Sequence, residues 1–172
     1  ERIDAHLDGL RIAGPVGLDI LLAQLAPHAI GEMFASVVLA FEAADTNVLS
    51  RLSDHLRSAL QSAVETERGY LMALGWLDWE RVSPWIERML AAPSPLFRRL
   101  GLAACGMHRR DPGPALLTEL SLADPGVLSR AIRTAGELRR RDLLPMIRAH
   151  RLHQDAVTRF WANWSCAQMG DE

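Results

Sequence analysis

The chain has 172 residues, of which 49% are apolar and 23% charged. That is enough apolar matter for a core and too little charge for a disordered chain, and the length suits one domain or a short run of repeats. Nineteen basic against 21 acidic residues give a net charge of −2, so no global attraction to nucleic acid is implied. Every basic residue is Arg. No apolar run approaches the roughly 18 uncharged residues of a membrane span. Cys105 and Cys166 are the only cysteines, and both fall in apolar helical stretches. They read as two buried thiols of a reducing compartment, and with no signal peptide visible a cytoplasmic location is expected. The sequence opens on Glu1 and stops at Glu172 directly after a helical pattern, as expected of a piece trimmed at one or both ends.

In chain order the pattern is helical throughout, because apolar residues recur three and four apart and never alternate. Ile3, Leu7 and Leu10 predict a helix over 1–12. Pro15 suits the first turn of the next, which carries Leu18, Leu21, Leu22 and Leu25. Further helices are predicted over 29–44, 47–60, 63–77, 80–91, 95–108, 113–122, 126–139, 142–151 and 154–169. Pro-rich breaks such as Ala92-Pro93-Ser94-Pro95, Asp111-Pro112-Gly113-Pro114 and Asp124-Pro125-Gly126 separate the later ones.

A repeat organises the second part. A small residue recurs at Gly75, Gly106, Gly136 and Ala167, at spacings of 31, 30 and 31, and Ala44 stands another 31 upstream. A period near 30 with two helices per unit predicts an α-solenoid, with the small residue marking a close approach of neighbouring helices. The expected organisation is a less regular helical part over 1–62 and repeats over 63–172.

The starts Ser94-Pro95, Asp124-Pro125 and Asp155-Ala156, the pairs Phe97-Arg98 and Thr158-Arg159, and the Ala73-Leu74-Gly75-like closes resemble the short HEAT-like repeat of bacterial proteins, with its Asp-Pro start and apolar-Arg pair. The copies depart from it at Val127-Leu128 and Thr66-Glu67, which lack the Arg, and at Cys105, Ala135 and Ala167. The resemblance implies an all-α, right-handed solenoid of HEAT-like hairpins, whose closing helices line the concave side. Four further runs, Glu1–Gly14, Arg98–Cys105, Gly136–Pro145 and Arg159–Ala162, are similar to a proteobacterial HEAT-repeat family of undefined activity encoded in type VI secretion clusters. That resemblance implies further flanking helices and carries over no catalytic residue.

On the closing helices, positions seven, six and three before the small residue and one after it form a single stripe. The columns read Arg68, Arg99, Ser129, Phe160; Gly69, Leu100, Arg130, Trp161; Met72, Ala103, Arg133, Trp164; and Trp76, Met107, Glu137, Gln168. Solvated helix faces are rich in Glu, Lys and Gln, whereas Trp and Arg dominate interface hot spots and Met adapts to irregular partners. Arg68, Met72, Trp76, Arg99, Leu100, Met107, Arg130, Arg133, Glu137, Phe160, Trp161 and Trp164 are therefore the expected partner-binding residues. The opposing reading is that Phe160, Trp161 and Trp164 lie under a further repeat. Trp79 and Trp85, beside Val82, Ile86 and Met89, read as core or convex packing. Arg139-Arg140-Arg141, with Arg109-Arg110 one unit earlier, reads as a solvated helix end or as a basic edge for phosphate or an acidic partner.

No Gly-rich phosphate loop, HExxH or paired Cys/His spacing appears, so no catalytic residue, cofactor or metal is assigned. His150 and His153 stand three apart across an expected helix break, and Asp155 suits a helix cap better than a ligand. Ser83 lacks a nucleophile elbow, and His28, His55 and His108 belong to no motif. The expected function is a non-enzymatic protein-binding scaffold. The family resemblance narrows it to an adaptor or chaperone-like factor of type VI secretion that holds an effector or spike component. One alternative is an immunity protein that neutralises a toxin. Another is a HEAT-like DNA glycosylase using Trp161, Trp164, Arg133 and Glu137, against which the acidic net charge argues.

Overall fold

A computed structural model of the chain describes residues 2–23, 30–44, 46–59, 64–121 and 124–171. Leu25, Pro27 and His28 lie outside the described residues, as does the side chain of His55. The described chain is all helix: α1 Arg2–Ala23, α2 Ile30–Ala43, α3 Thr46–Ala59, α4 Val64–Trp76, α5 Trp79–Leu90, α6 Pro95–Met107, α7 Pro114–Leu120, α8 Pro125–Glu137, α9 Leu144–Arg148 and α10 Ala156–Gln168. No strand occurs among the described residues. Two compact units divide it, Glu1–Val82 and Ser83–Glu172. The division falls inside α5.

In the first unit, Gly14 adopts φ 58° and ψ −143° and breaks α1 into two segments, with Pro15 opening the second. Only glycine takes that conformation cheaply. Helix α2 buries Met33, Val37, Val38 and Ala40 and packs on α4, whose Tyr70, Ala73 and Leu74 are fully buried. A Cβ at Gly69 would fall 3.1 Å from Met33 Cβ, so α2 and α4 touch there and Gly69 is core, not groove.

The second unit carries the repeat. Helices α6, α8 and α10 each have 13 residues, as does α4, and the small residues Gly75, Gly106, Gly136 and Ala167 all stand next to last in them. Helix α8 packs against both α6 and α10, α7 against α8, and α9 against α10. Leu102, Leu116, Ile132, Ile147, Ala162 and Cys166 fill their core. Ala44 does not share the register. It follows the end of α2 in the left-handed region, at φ 52°. The helix predicted over 142–151 is a single 3-10 turn, Arg141–Leu143, followed by the five residues of α9.

Three devices recur in phase. Two residues before the small residue, Thr134 Oγ1 donates to Leu102 O (3.0 Å) and Ser165 Oγ to Ile132 O (2.9 Å), pinning each helix to the one before it. Eight residues before it, Arg98 Nη1 donates to Ala92 O and Pro93 O, and Arg159 Nη1 to His153 O and Gln154 O, closing off the preceding turn. Three residues after it, Arg109 (φ 52°), Arg139 (φ 52°) and Gly170 (φ 83°) turn left-handed. The next N–H of each then donates back to Cys105, Ala135 or Cys166. This is a helix stop that usually employs glycine, since left-handed backbone costs an L-residue roughly 1–2 kcal/mol.

Helix starts and ends also set the pH response. Asp155 caps α10 as expected, accepting from Thr158 N at 2.7 Å. The backbone N–H of Thr158, with that of Val157, holds its carboxyl below the ordinary 3.8. Arg140 does the same to Asp142, and Arg148 to Asp171. Folded values below the unfolded one stabilise the fold above about pH 4, and that stability is lost as pH falls through the folded values. Burial, with His153 alongside, lowers His150 from 6.5, which adds a decline beginning near that pH as acid is added. The melting midpoint should therefore fall from about pH 6.5 and faster below about pH 4. A midpoint that rises on acidification, in melts followed by circular dichroism, would contradict these assignments.

Candidate functional site

Helices α8 and α10 bring six of the expected residues together in the second unit. Along one face of α8, Arg133 Nε donates to Glu137 Oε1 at 2.8 Å, and Arg130 pairs with the other carboxylate oxygen. Arg130 Nε also donates to Thr134 Oγ1 at 3.1 Å, so the hydroxyl that reaches Leu102 O is itself held in place. The Arg133 guanidinium lies 4.3 Å from the centre of the Trp161 ring on α10. Trp161 in turn meets Trp164 edge-on at 5.4 Å and Phe160 at 5.0 Å. An unbroken chain from Glu137 through guanidinium to three aromatic rings results, and such cation–π and edge-to-face contacts fix ring orientation.

The chain is graded from core to solvent. Trp161 packs against the buried cluster of α8 and is only partly exposed, while Phe160 is 59% exposed. Phe160, Trp164, Ala156 and Asn163 line an open depression of about 510 Å³. Asn163 and Ala167 are exposed, whereas their equivalents one unit earlier, Ile132 and Gly136, are buried. The face of α10 that matches the covered face of α8 is thus bare.

The other expected residues scatter. Met107 is exposed at the end of α6, and Arg99 is half-buried. Leu100 is fully buried, which removes it from the surface stripe. Its column lies at the edge of the core, so Leu100 and Gly69 sink inward while the long Arg130 reaches out along its stem. Ser129 and Ala103 are buried as well. In the first unit, Arg68, Met72 and Trp76 are exposed on α4, and Trp76 leans edge-on against Phe34 at 5.9 Å. Trp79 and Trp85 are half-buried, beside the buried Val82, Ile86 and Met89.

Sequence reasoning missed two features. One is the ion pair of Arg98 with Glu119, whose carboxylate is buried, a pairing that no spacing rule signals. The other is a cleft of about 620 Å³ among α1, α2 and α3, opened by the break at Gly14. Leu10, Leu18, Leu39 and Val48 line it. Its guanidiniums are engaged, Arg11 with Glu42 at 2.6 and 2.8 Å and Arg51 with Asp19 at 2.8 Å.

The nucleophile inventory is quiet. Burial, with Asp111 nearby, pushes the Cys105 thiol up to about 12, and burial raises Cys166 too. His150 and His153 stand 5.8 Å apart in the turn after α9, and His153 Nδ1 accepts from Asp155 N. Among the described residues no three His, Cys, Asp or Glu gather closely enough to hold a metal ion, and no helix is long and apolar enough to cross a membrane. No family model matches the chain, and neither a curated protein nor a solved structure matches it.

Proposed function

We propose that this chain is a non-enzymatic protein-binding scaffold, a right-handed solenoid of HEAT-like helical pairs, acting as an adaptor or chaperone-like factor of bacterial type VI secretion. The observation that carries the binding role is the Arg133–Trp161–Trp164–Phe160 array. Aromatic rings backed by a guanidinium are what hot spots employ. Glu137 is committed to Arg130 and Arg133, which suits a rigid binding surface better than a carboxylate reserved for chemistry. The secretion context rests on the sequence resemblance, and the cytoplasm is its expected place.

The test is capture from the native bacterium, followed by mass spectrometry, with the wild type and the double variant Phe160→Ala, Arg133→Ala as baits. Phe160 is exposed and Arg133 half-exposed, and neither belongs to the buried core, so the melting midpoint should move by no more than about 4 °C. Loss of a hot spot of about 2 kcal/mol should weaken the captured partner about thirty-fold. Equal capture by both baits would place binding elsewhere. Deleting the gene should block export of the captured component. Self-poisoning on deletion would replace the adaptor role with an immunity role, and release of an altered base from DNA would replace both with an enzyme.

A further inference from the structure

The second unit carries a basic edge that the aromatic array does not use. The ends of α6, α8, α9 and α10 and the turns after them hold Arg109, Arg110, Arg139, Arg140, Arg141, Arg148 and Arg151 together with Asp111, Asp142 and Asp171. Seven arginines against three aspartates leave an excess of four positive charges in a chain whose net charge is −2. The rest of the chain is correspondingly acidic.

Within this edge the arginines divide into two sets. Arg140 donates to Asp142 from Nε at 2.8 Å and is also paired with Asp111, so it ties the end of α8 to the end of α6. Arg148 and Arg151 both pair with Asp171. These hold the ends together. Arg109, Arg139 and Arg141 are exposed and make no ion pair among the described residues. Arg109 and Arg139 occupy the left-handed position where the third copy has Gly170. Relief of the negative helix end does not account for them, because neighbouring Arg110 and Arg140 supply that charge without the unfavourable backbone. Arginine at those two positions costs folding stability that glycine would spare, and retaining it points to a use outside the fold.

We propose that Arg109, Arg139 and Arg141 form a docking surface for an acidic helical segment of a partner protein. Helices packed as α6 and α8 are run 8–10 Å apart, which sets the spacing of Arg109 and Arg139 at roughly that value. Carboxylates seven residues apart on a helix stand about 10 Å apart along its axis, so one acidic stripe meets both guanidiniums.

The test is titration of the full chain with a fluorescein-labelled 15-residue helical peptide carrying Glu at positions seven apart, read by anisotropy at low and physiological salt. Saturable, salt-weakened binding is expected. The double variant Arg109→Gly, Arg139→Gly should lose about tenfold in affinity, as two exposed ion pairs would. Its melting midpoint should hold or rise, because glycine is the residue those positions favour. Loss of binding with an unlowered midpoint separates docking from a structural role. The proposal is overturned if the wild type fails to bind the peptide, if the glycine variant binds it equally, if a peptide with its glutamates bunched together binds as well, or if duplex DNA binds more tightly through the same arginines.

Discussion

Replacing Arg98 by Ala should cost about 3 kcal/mol of folding stability. Arg98 Nε stands 2.7 Å from Glu119 Oε1, and the Glu119 side chain is only 5% exposed. Removing one member of a buried ion pair leaves the other charge desolvated and unpaired, a loss of about 3–5 kcal/mol. The same change frees the carbonyls of Ala92 and Pro93 that Nη1 caps. Arg159 provides an internal control, since it makes the equivalent bonds to His153 O and Gln154 O in solvent and has no buried carboxylate to serve. Arg159→Ala should cost only about 1 kcal/mol, the worth of exposed hydrogen bonds. Adding Glu119→Leu to Arg98→Ala should restore most of the loss, because no orphaned charge remains. Urea denaturation of the four chains would decide it. A loss below about 1 kcal/mol for Arg98→Ala, or a double variant no better than the single, would refute the pairing as the cause.

The same pair shows where sequence reasoning stops. Phe97-Arg98 and Thr158-Arg159 were visible as a recurring motif, and their period was sound, because 13-residue helices with a small residue next to last follow from local pattern. What Arg98 reaches was not visible, since Glu119 lies on the next helix, α7, and no helical spacing rule links the two positions. Ala44 failed for a related reason. A spacing of 31 residues says nothing about phase within a helix, and Ala44 lies outside one. The aromatic array was legible as Trp161 and Trp164 three apart, aligned with Arg130 and Arg133 one unit back, and α8 and α10 do place these side by side. Leu100 was misplaced because a stripe drawn on an isolated helix cannot say how far the neighbouring helices wrap around it.

The small residues themselves supply the second large effect, and they separate where a period alone treats them alike. A Cβ on Gly136 would lie 2.7 Å from Ser165 Cβ and 2.9 Å from Ser165 Cα, so the backbone of α10 would have to move. Moving it also strains the bond from Ser165 Oγ to Ile132 O. Gly136→Leu should cost about 3 kcal/mol or more, at the top of the range for overpacking. At Gly106 the neighbour is the Glu137 carboxylate, with an Arg130 nitrogen 3.0 Å from the built Cβ. These are the far ends of long side chains, which yield more readily than a helix backbone does. Alanine also gains up to about 1 kcal/mol over glycine inside a helix. Gly106→Ala should therefore leave the melting midpoint nearly unchanged, while Gly136→Ala lowers it. The side-chain shift at Gly106 should still be felt at the aromatic array, because Glu137 anchors Arg133 over Trp161. Gly106→Ala should alter Trp fluorescence in a fold of wild-type stability. Equal destabilisation by alanine at both glycines would show that a helix backbone, and not Glu137, closes over Gly106.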